Sequence, residues 1–197
     1  MSEVLDKQTI DQLFCEARTH IDWQDKNVSD DQLKKLYDLA KWGPTGMNCC
    51  PMRLTFVKSP EAKAKLLEAV SGGNIEQTKT APVTAIVSVD EKFYEYMPDL
   101  FPSYPEARDM YAESPDVAMA TASKNASIQI GYLIMAARAI GLDCGPMGGF
   151  DKDKVNELFL SGTTNKASLL VNLGYGNKEK LYPRGIRLPF ADVADII

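Results

Sequence analysis

Between Val117 and Ile140 the chain carries only two charged residues, Lys124 and Arg138. Ser114-Pro115 opens this stretch and Gly141 closes it. That reads as one long helix, because serine caps a helix start, proline suits its first position and glycine ends it. Its apolar residues, among them Val117, Ala120, Ile128, Leu133, Ile134 and Ile140, point to several faces. A helix apolar on more than one side has to be covered by a core or by a second subunit. It does not read as a membrane span, since the longest run free of charge, Asn125 to Ala137, is 13 residues against the ~18 or more that crossing requires.

The rest of the chain fits around that helix as a single domain, residues 1–197. A length of 197 residues matches one unit at roughly 150 residues per domain. With 45% hydrophobic and 25% charged residues, the composition is that of a globular fold. Net charge is −5 and no segment concentrates lysine or arginine, which argues against nucleic acid as a partner. The start, MSEVLDKQ, lacks the apolar stretch of a signal peptide, so a soluble, cytoplasmic protein is expected.

Two scarce residue types narrow the chemistry. His20 is the only histidine, which excludes multi-histidine metal sites and H-E-x-x-H hydrolases. Chemistry borrowed from a cofactor is the natural alternative. The cysteines Cys15, Cys49, Cys50 and Cys144 show no C-x-x-C spacing and read as reduced thiols.

Periodicity supplies the remaining elements. A stripe of Ile10, Leu13, Phe14 and Ala17 predicts a first helix running into Arg18-Thr19-His20. Ser29 followed three residues later by Gln32 is a capping-box pattern, opening a second helix on Leu33, Leu36, Tyr37 and Ala40 that stops at Gly43-Pro44. Strands are expected at Leu54–Val57, Thr84–Val89 and Leu169–Leu173, with helices over Glu61–Val70 and around Val155, Leu158 and Phe159. Residues 91–114 mix acidic, aromatic and proline residues without a period and read as a lid or insertion. This order makes α+β the expected class.

Four segments combine permissive backbone with polar or cationic side chains: Arg18-Thr19-His20, Gly43-Pro44-Thr45-Gly46-Met47-Asn48, Gly145-Pro146-Met147-Gly148-Gly149, and Arg184 to Arg187. There is no G-x-x-x-x-G-K-[ST] loop, and Gly174-Tyr175-Gly176 lacks the third glycine of G-x-G-x-x-G. Arginine can hold a phosphomonoester through its fork of N–H donors with no glycine cradle. Asn48 can give a donor and an acceptor to a heterocycle edge or simply turn the chain, and Gly148-Gly149 lets a flat ring approach the backbone.

In wording and order these segments resemble the nitroreductase family of FMN-dependent oxidoreductases, in the branch of the malonic semialdehyde reductase of pyrimidine degradation. The resemblance runs through EARTHIDW, LAKWGPTGMNCCPMR, SGGNIEQTKTAPVTAIV, FYE with LFP, YLIMAARAIGLDCGPMGGFD, LLVNLGYG and a final RGIRLP. It implies a mostly antiparallel sheet flanked by helices, in an intertwined homodimer with FMN held between the subunits. Carried over by position, Arg18, Thr19 and His20 form the first flavin cluster. Pro44, Thr45, Gly46 and Asn48 form the loop on phosphate and ring. Pro146, Met147, Gly148 and Gly149 lie along the ring, and Arg187, with Arg184, holds phosphate. The implied chemistry is ping-pong transfer of hydride from NADPH or NADH through flavin N5. The implied acceptor is a small aldehyde such as malonic semialdehyde, giving 3-hydroxypropionate, with Arg53 or Arg108 holding its carboxylate. A broad nitroreductase or quinone reductase, and a flavin-binding protein without turnover, are the alternatives.

The chain also departs from the family pattern. Cys50-Pro51-Met52 stands where many members have Gln-Pro-Trp, Gly148 where many have glutamate, and Asp22 where a cation commonly lies.

Overall fold

The computed structural model describes residues 3–197. In chain order the helices and strands are α1 (Lys7–Ile10), α2 (Asp30–Ala40), β1 (Met52–Val57), α3 (Pro60–Leu67), α4 (Ile75–Thr80), β2 (Val83–Asp90), α5 (Met97–Leu100), α6 (Ala107–Ala112), α7 (Pro115–Ala139), β3 (Asp143–Met147), α8 (Lys152–Val155), β4 (Asn165–Gly174) and α9 (Phe190–Val193). The strands form one antiparallel sheet in the order β1-β2-β4-β3, the expected α+β arrangement.

The sheet has a core on each face because strand side chains alternate. Val83, Ala85 and Val87 of β2 meet Leu36 and Ala40 of α2 and Leu133 and Ala137 of α7 on one face. Ile86, between them, points to the other face with Leu66 of α3, Val155 of α8 and Leu170 of β4. A third core joins the 91–114 segment to the first half of α7, packing Phe93, Met97 and Tyr111 on Ala118, Ala122 and Ala126. The insertion is therefore a packed layer of short helices.

The α2 capping box forms as expected: Gln32 N–H donates to Ser29 Oγ at 3.2 Å, and Ser29 N–H donates to Gln32 Oε1 at 3.0 Å. Three expectations need correction. The first helix is shorter than its stripe, with α1 passing into a π-turn over Asp11–Cys15; Ile10, Leu13 and Ala17 are half-buried, while Phe14 is 58% exposed. Ser114 precedes α7 without a side-chain cap bond. Finally, Asp143–Met147 forms a strand where the glycines and proline of the sequence predict a loop. A Gly-Pro sequence is tolerated there because β3 is the edge strand of the sheet, where a missing N–H can be absorbed. Among the described residues no helix is long and apolar enough to cross a membrane.

Candidate functional site

The turn after α1 is fixed against β3. Thr19 bridges Cys144 in parallel, and His20 N–H donates to Cys144 O at 3.0 Å. This brings Arg18 to the end of α7, where Arg138 lies, and to the chain around Tyr182–Arg187. Arg18 donates to Tyr182 O. Arg138 donates to Leu13 O at 2.8 Å, and Arg184 caps the main chain after α1 by donating to Cys15 O at 2.6 Å and Ala17 O at 3.1 Å. Arg187 donates only to Gly185 O and Ile186 O.

These four are among six arginines in the sequence, and they differ from the other two. Arg53 pairs with Asp90 at 2.8 Å and Arg108 with Glu95 at 2.9 Å. No carboxylate pairs with Arg18, Arg138, Arg184 or Arg187 among the described residues. In a chain of net charge −5 that is a selective arrangement. Like charges held together repel unless an anion joins them, and each guanidinium keeps N–H donors beyond those spent on carbonyls. The residues therefore fit a phosphate. They line two adjoining hollows, one of about 260 Å³ that includes Thr19 and Arg187, and one of about 590 Å³ that includes His20, Asp143 and Lys178. Arg138 and Lys178 were not singled out in the sequence. Arg138 stood in plain view as one of two charges in the long apolar stretch.

His20 is 3% exposed, and its ring is held from below. A Cβ on Gly176 would lie 1.8 Å from His20 Nδ1, so the second glycine of Gly174-Tyr175-Gly176 makes room for the imidazole. His20 Nε2 is 3.4 Å from Asp143 Oδ1, and Asp143 Oδ2 accepts from Gly176 N–H at 2.8 Å. Nδ1 has no partner. Burial pushes the His20 pKa below its ordinary 6.5, against the pull of Asp143 and with the repulsion of Arg18 and Lys178.

The loop before β1 is strained and tightly held. Met47, Asn48 and Cys50 have φ of +50°, +52° and +41°, a region costing about 1–3 kcal/mol for each non-glycine residue. Two buried amides of α7 hold it: Gly46 N–H donates to Asn125 Oδ1 at 2.7 Å, and Met52 N–H donates to Gln129 Oε1 at 2.9 Å. Cys50 N–H donates to Thr45 Oγ1 at 3.2 Å, and Asn48 Nδ2 donates to Leu100 O at 2.9 Å, tying the loop to the insertion. A cleft of about 240 Å³ opens beside it, lined by Lys41, Cys50, Arg53, Tyr96, Asp99 and others. All four cysteines are free. Burial raises the Cys49 pKa to about 11 and the Cys144 pKa to about 12.

At the end of β3, Pro146 lies within the strand, and Met147 buries its side chain beside Thr78, 3.5 Å from that hydroxyl. Met147 can thus offer a ligand only its main chain. Gly149 O accepts from Asn74 Nδ2 at 3.0 Å and Ser71 N–H at 3.1 Å, and a Cβ on Gly149 would lie 2.5 Å from Asn74 Nδ2. Nothing stands within 4 Å of a Cβ added to Gly148.

One chain does not bring all these segments together. The arginine turn and the β3 segment share β3, whereas the Pro44–Asn48 loop hangs on Asn125. At ~1.5 Å rise per residue, Asn125 is roughly 20 Å along α7 from Arg138. Among the described residues no group of three or more histidine, cysteine or acidic side chains is placed to hold a metal.

Solved structures share this architecture. An Exiguobacterium sibiricum protein of nitroreductase type, in complex with FMN, superposes with a TM-score of 0.86 at 21% identity, over 100% of this chain and 99% of that one. A Staphylococcus epidermidis protein of NAD(P)H:FMN oxidoreductase type gives 0.82 at 20% identity, over 100% and 98%. The enone reductase CLA-ER, from gut-bacterial fatty acid saturation, gives 0.83 at 19% identity, over 98% and 100%. The nitroreductase family model matches residues 15–175, and on that match the chain belongs to the nitroreductase family.

Proposed function

We propose that the chain is an FMN-dependent NAD(P)H oxidoreductase acting on a small-molecule acceptor as a homodimer. The observation that carries this reading is the group of arginines without carboxylate partners around Thr19. Arg18 and Arg187 would hold the FMN phosphate, assisted by Arg184. Pro146, Gly148 and Gly149 would offer backbone to the ring, and Pro44, Thr45, Gly46 and Asn48 would reach it from the partner subunit. His20, with its ring under Gly176, would contribute by fixing the turn. When bound, FMN would supply the hydride relay between the nicotinamide donor and the acceptor.

Two features support the dimer. The loop and the arginine turn lie too far apart in one chain to serve one ligand. Apolar side chains are also uncovered where a partner would lie: Trp42 after α2 is 77% exposed, Tyr132 and Ile128 of α7 are partly so, and Ile186, Leu188 and Phe190 stand out from the C-terminal segment. Patches of this kind mark interaction surfaces.

For the acceptor, the family resemblance favours a small aldehyde such as malonic semialdehyde, whose developing alkoxide Thr45 could meet with its hydroxyl. One observation favours a second reading. Arg53 and Arg108, expected to take the carboxylate, are already engaged by Asp90 and Glu95, which suits an uncharged nitroaromatic or quinone better. The test is purification with a visible spectrum, anaerobic titration with NADPH and NADH, then a panel of aldehyde, nitro and quinone acceptors. Bleaching of bound flavin supports the oxidoreductase. A yellow protein that neither nucleotide bleaches would be a flavin binder without turnover, and a colourless protein that takes up no FMN would end the proposal.

A further inference from the structure

The two hollows around the arginines are not equivalent. Both are lined by Arg18, Arg138 and Arg184, but Thr19 and Arg187 line only the smaller and Lys178 only the larger. A phosphomonoester carries at most two negative charges and is met by Arg18 and Arg187 in the smaller hollow. With Arg184 assisting there, Arg138, which lines both hollows, and Lys178, which lines only the larger, are left with charge to spare.

The charges around the larger hollow support a separate use. Four cations, Arg18, Arg138, Arg184 and Lys178, face two carboxylates, Glu16 and Asp143. Asp143 is already taken by Gly176 N–H and His20. The hollow's volume of about 590 Å³ is of the size that takes a small ligand rather than a lone ion.

We propose that the larger hollow is a second phosphate site, beside the one that would hold the FMN phosphate, and that it takes a phosphate of the nicotinamide donor with Arg138 and Lys178 as its cations, Lys178 being the one the two hollows do not share. This rests on the reading of the chain as an FMN-dependent NAD(P)H oxidoreductase. Two donor phosphates share the required chemistry. The 2′-phosphate occurs only in NADPH, and the diphosphate occurs in NADPH and NADH alike.

The experiment is calorimetric titration of the FMN-loaded protein with adenosine 2′,5′-bisphosphate, ADP and adenosine, in the wild type, Lys178→Glu and Arg138→Gln. Lys178 is exposed and makes no side-chain bond that the fold needs, so Lys178→Glu tests the site without endangering the structure. Adenosine should not bind measurably. Preference for the bisphosphate identifies the 2′-phosphate as the bound group, and equal binding of ADP identifies the diphosphate. Lys178→Glu should weaken the phosphorylated probe at least tenfold, and raise KM for the matching donor, while FMN content stays at the wild-type level. Wild-type binding in Lys178→Glu, or adenosine binding as tightly as its phosphates, would overturn the proposal. Parallel loss of FMN from both variants would make the two hollows one site and overturn it as well. Failure of the wild-type protein to take up FMN would show before any probe is added, and would refute the underlying functional reading instead.

Discussion

Asn125 is the residue on which the candidate flavin loop depends. It is 6% exposed, accepts from Gly46 N–H at 2.7 Å and donates to Thr121 O at 2.8 Å. Asn125→Ala removes both bonds and strands a partly buried N–H, which costs about 1–3 kcal/mol. The lost anchor also frees a loop in which Met47, Asn48 and Cys50 hold left-handed backbone, and relaxation of that strain returns part of the loss. A net destabilisation of about 2 kcal/mol follows, which for a chain of this length lowers Tm by roughly 4–8 °C. The loop that relaxes is the one assigned to the flavin, so FMN affinity should fall about tenfold, equivalent to ~1.4 kcal/mol. Thermal melts and flavin-fluorescence titration measure both effects. Ser127→Ala is the control, because its bond to Ser123 O is of similar length, 2.9 Å, but exposed; its effect should stay within ~0.5 kcal/mol. An Asn125→Ala protein that melts with the wild type and binds FMN equally well would refute the reasoning.

Other consequences follow from the same geometry. Gly176→Ala drives a methyl into the His20 ring and should cost about 1–3 kcal/mol by overpacking, seen as a lower Tm; an unchanged melt would contradict the placement of His20. Since the folded pKa of His20 lies below the unfolded 6.5, the unfolded chain binds the proton more readily. Stability should therefore be full above pH 6.5 and decline as pH falls below it toward the folded value. His20→Gln should flatten that decline in denaturant titrations across pH 5 to 8. With burial holding Cys49 and Cys144 as thiols to about pH 11 and 12, a thiol-specific reagent at pH 8 should spare both in the native protein and reach them on unfolding. Gly148→Glu meets open space and should change Tm by less than about 2 °C, because surface changes away from structural features cost little.

Much of the fold was legible where a local pattern and tertiary burial agree. The α2 capping box, the β-branched run of β2 and the long α7 are such cases. Where burial and pattern part, the reading failed. The stripe of Ile10, Leu13 and Phe14 implied a regular helix on a core, but Ile10 and Leu13 are only half-buried and Phe14 is exposed. The Gly145-Pro146 pair hid β3, whose place at the sheet edge excuses the proline. The site was legible in its loops and less so in its supports. Asn125 and Gln129 look like stray polar residues in an apolar helix, although their i, i+4 spacing in a charge-free run marks one face with two buried amides. The place of His20 in the flavin cluster comes from the family resemblance alone, since by itself a histidine at a helix end reads as readily as a cap on the preceding carbonyls. Only the fold shows that Gly176 lets its ring lie buried.

The central claim is that each FMN site would take Arg18 and Arg187 from one subunit and the Pro44–Asn48 loop from the other. Subunit mixing measures this most directly. Arg187→Ala and Asn125→Ala each weaken a different half of the site, so each homodimer should bind FMN poorly. Mixed dimers of the two should contain one site with both halves intact and one with both defective. Isolated by differential tags, such a heterodimer should bind one FMN with wild-type affinity. Two weak sites and no tight one, or tight FMN binding by a monomer, would contradict the account.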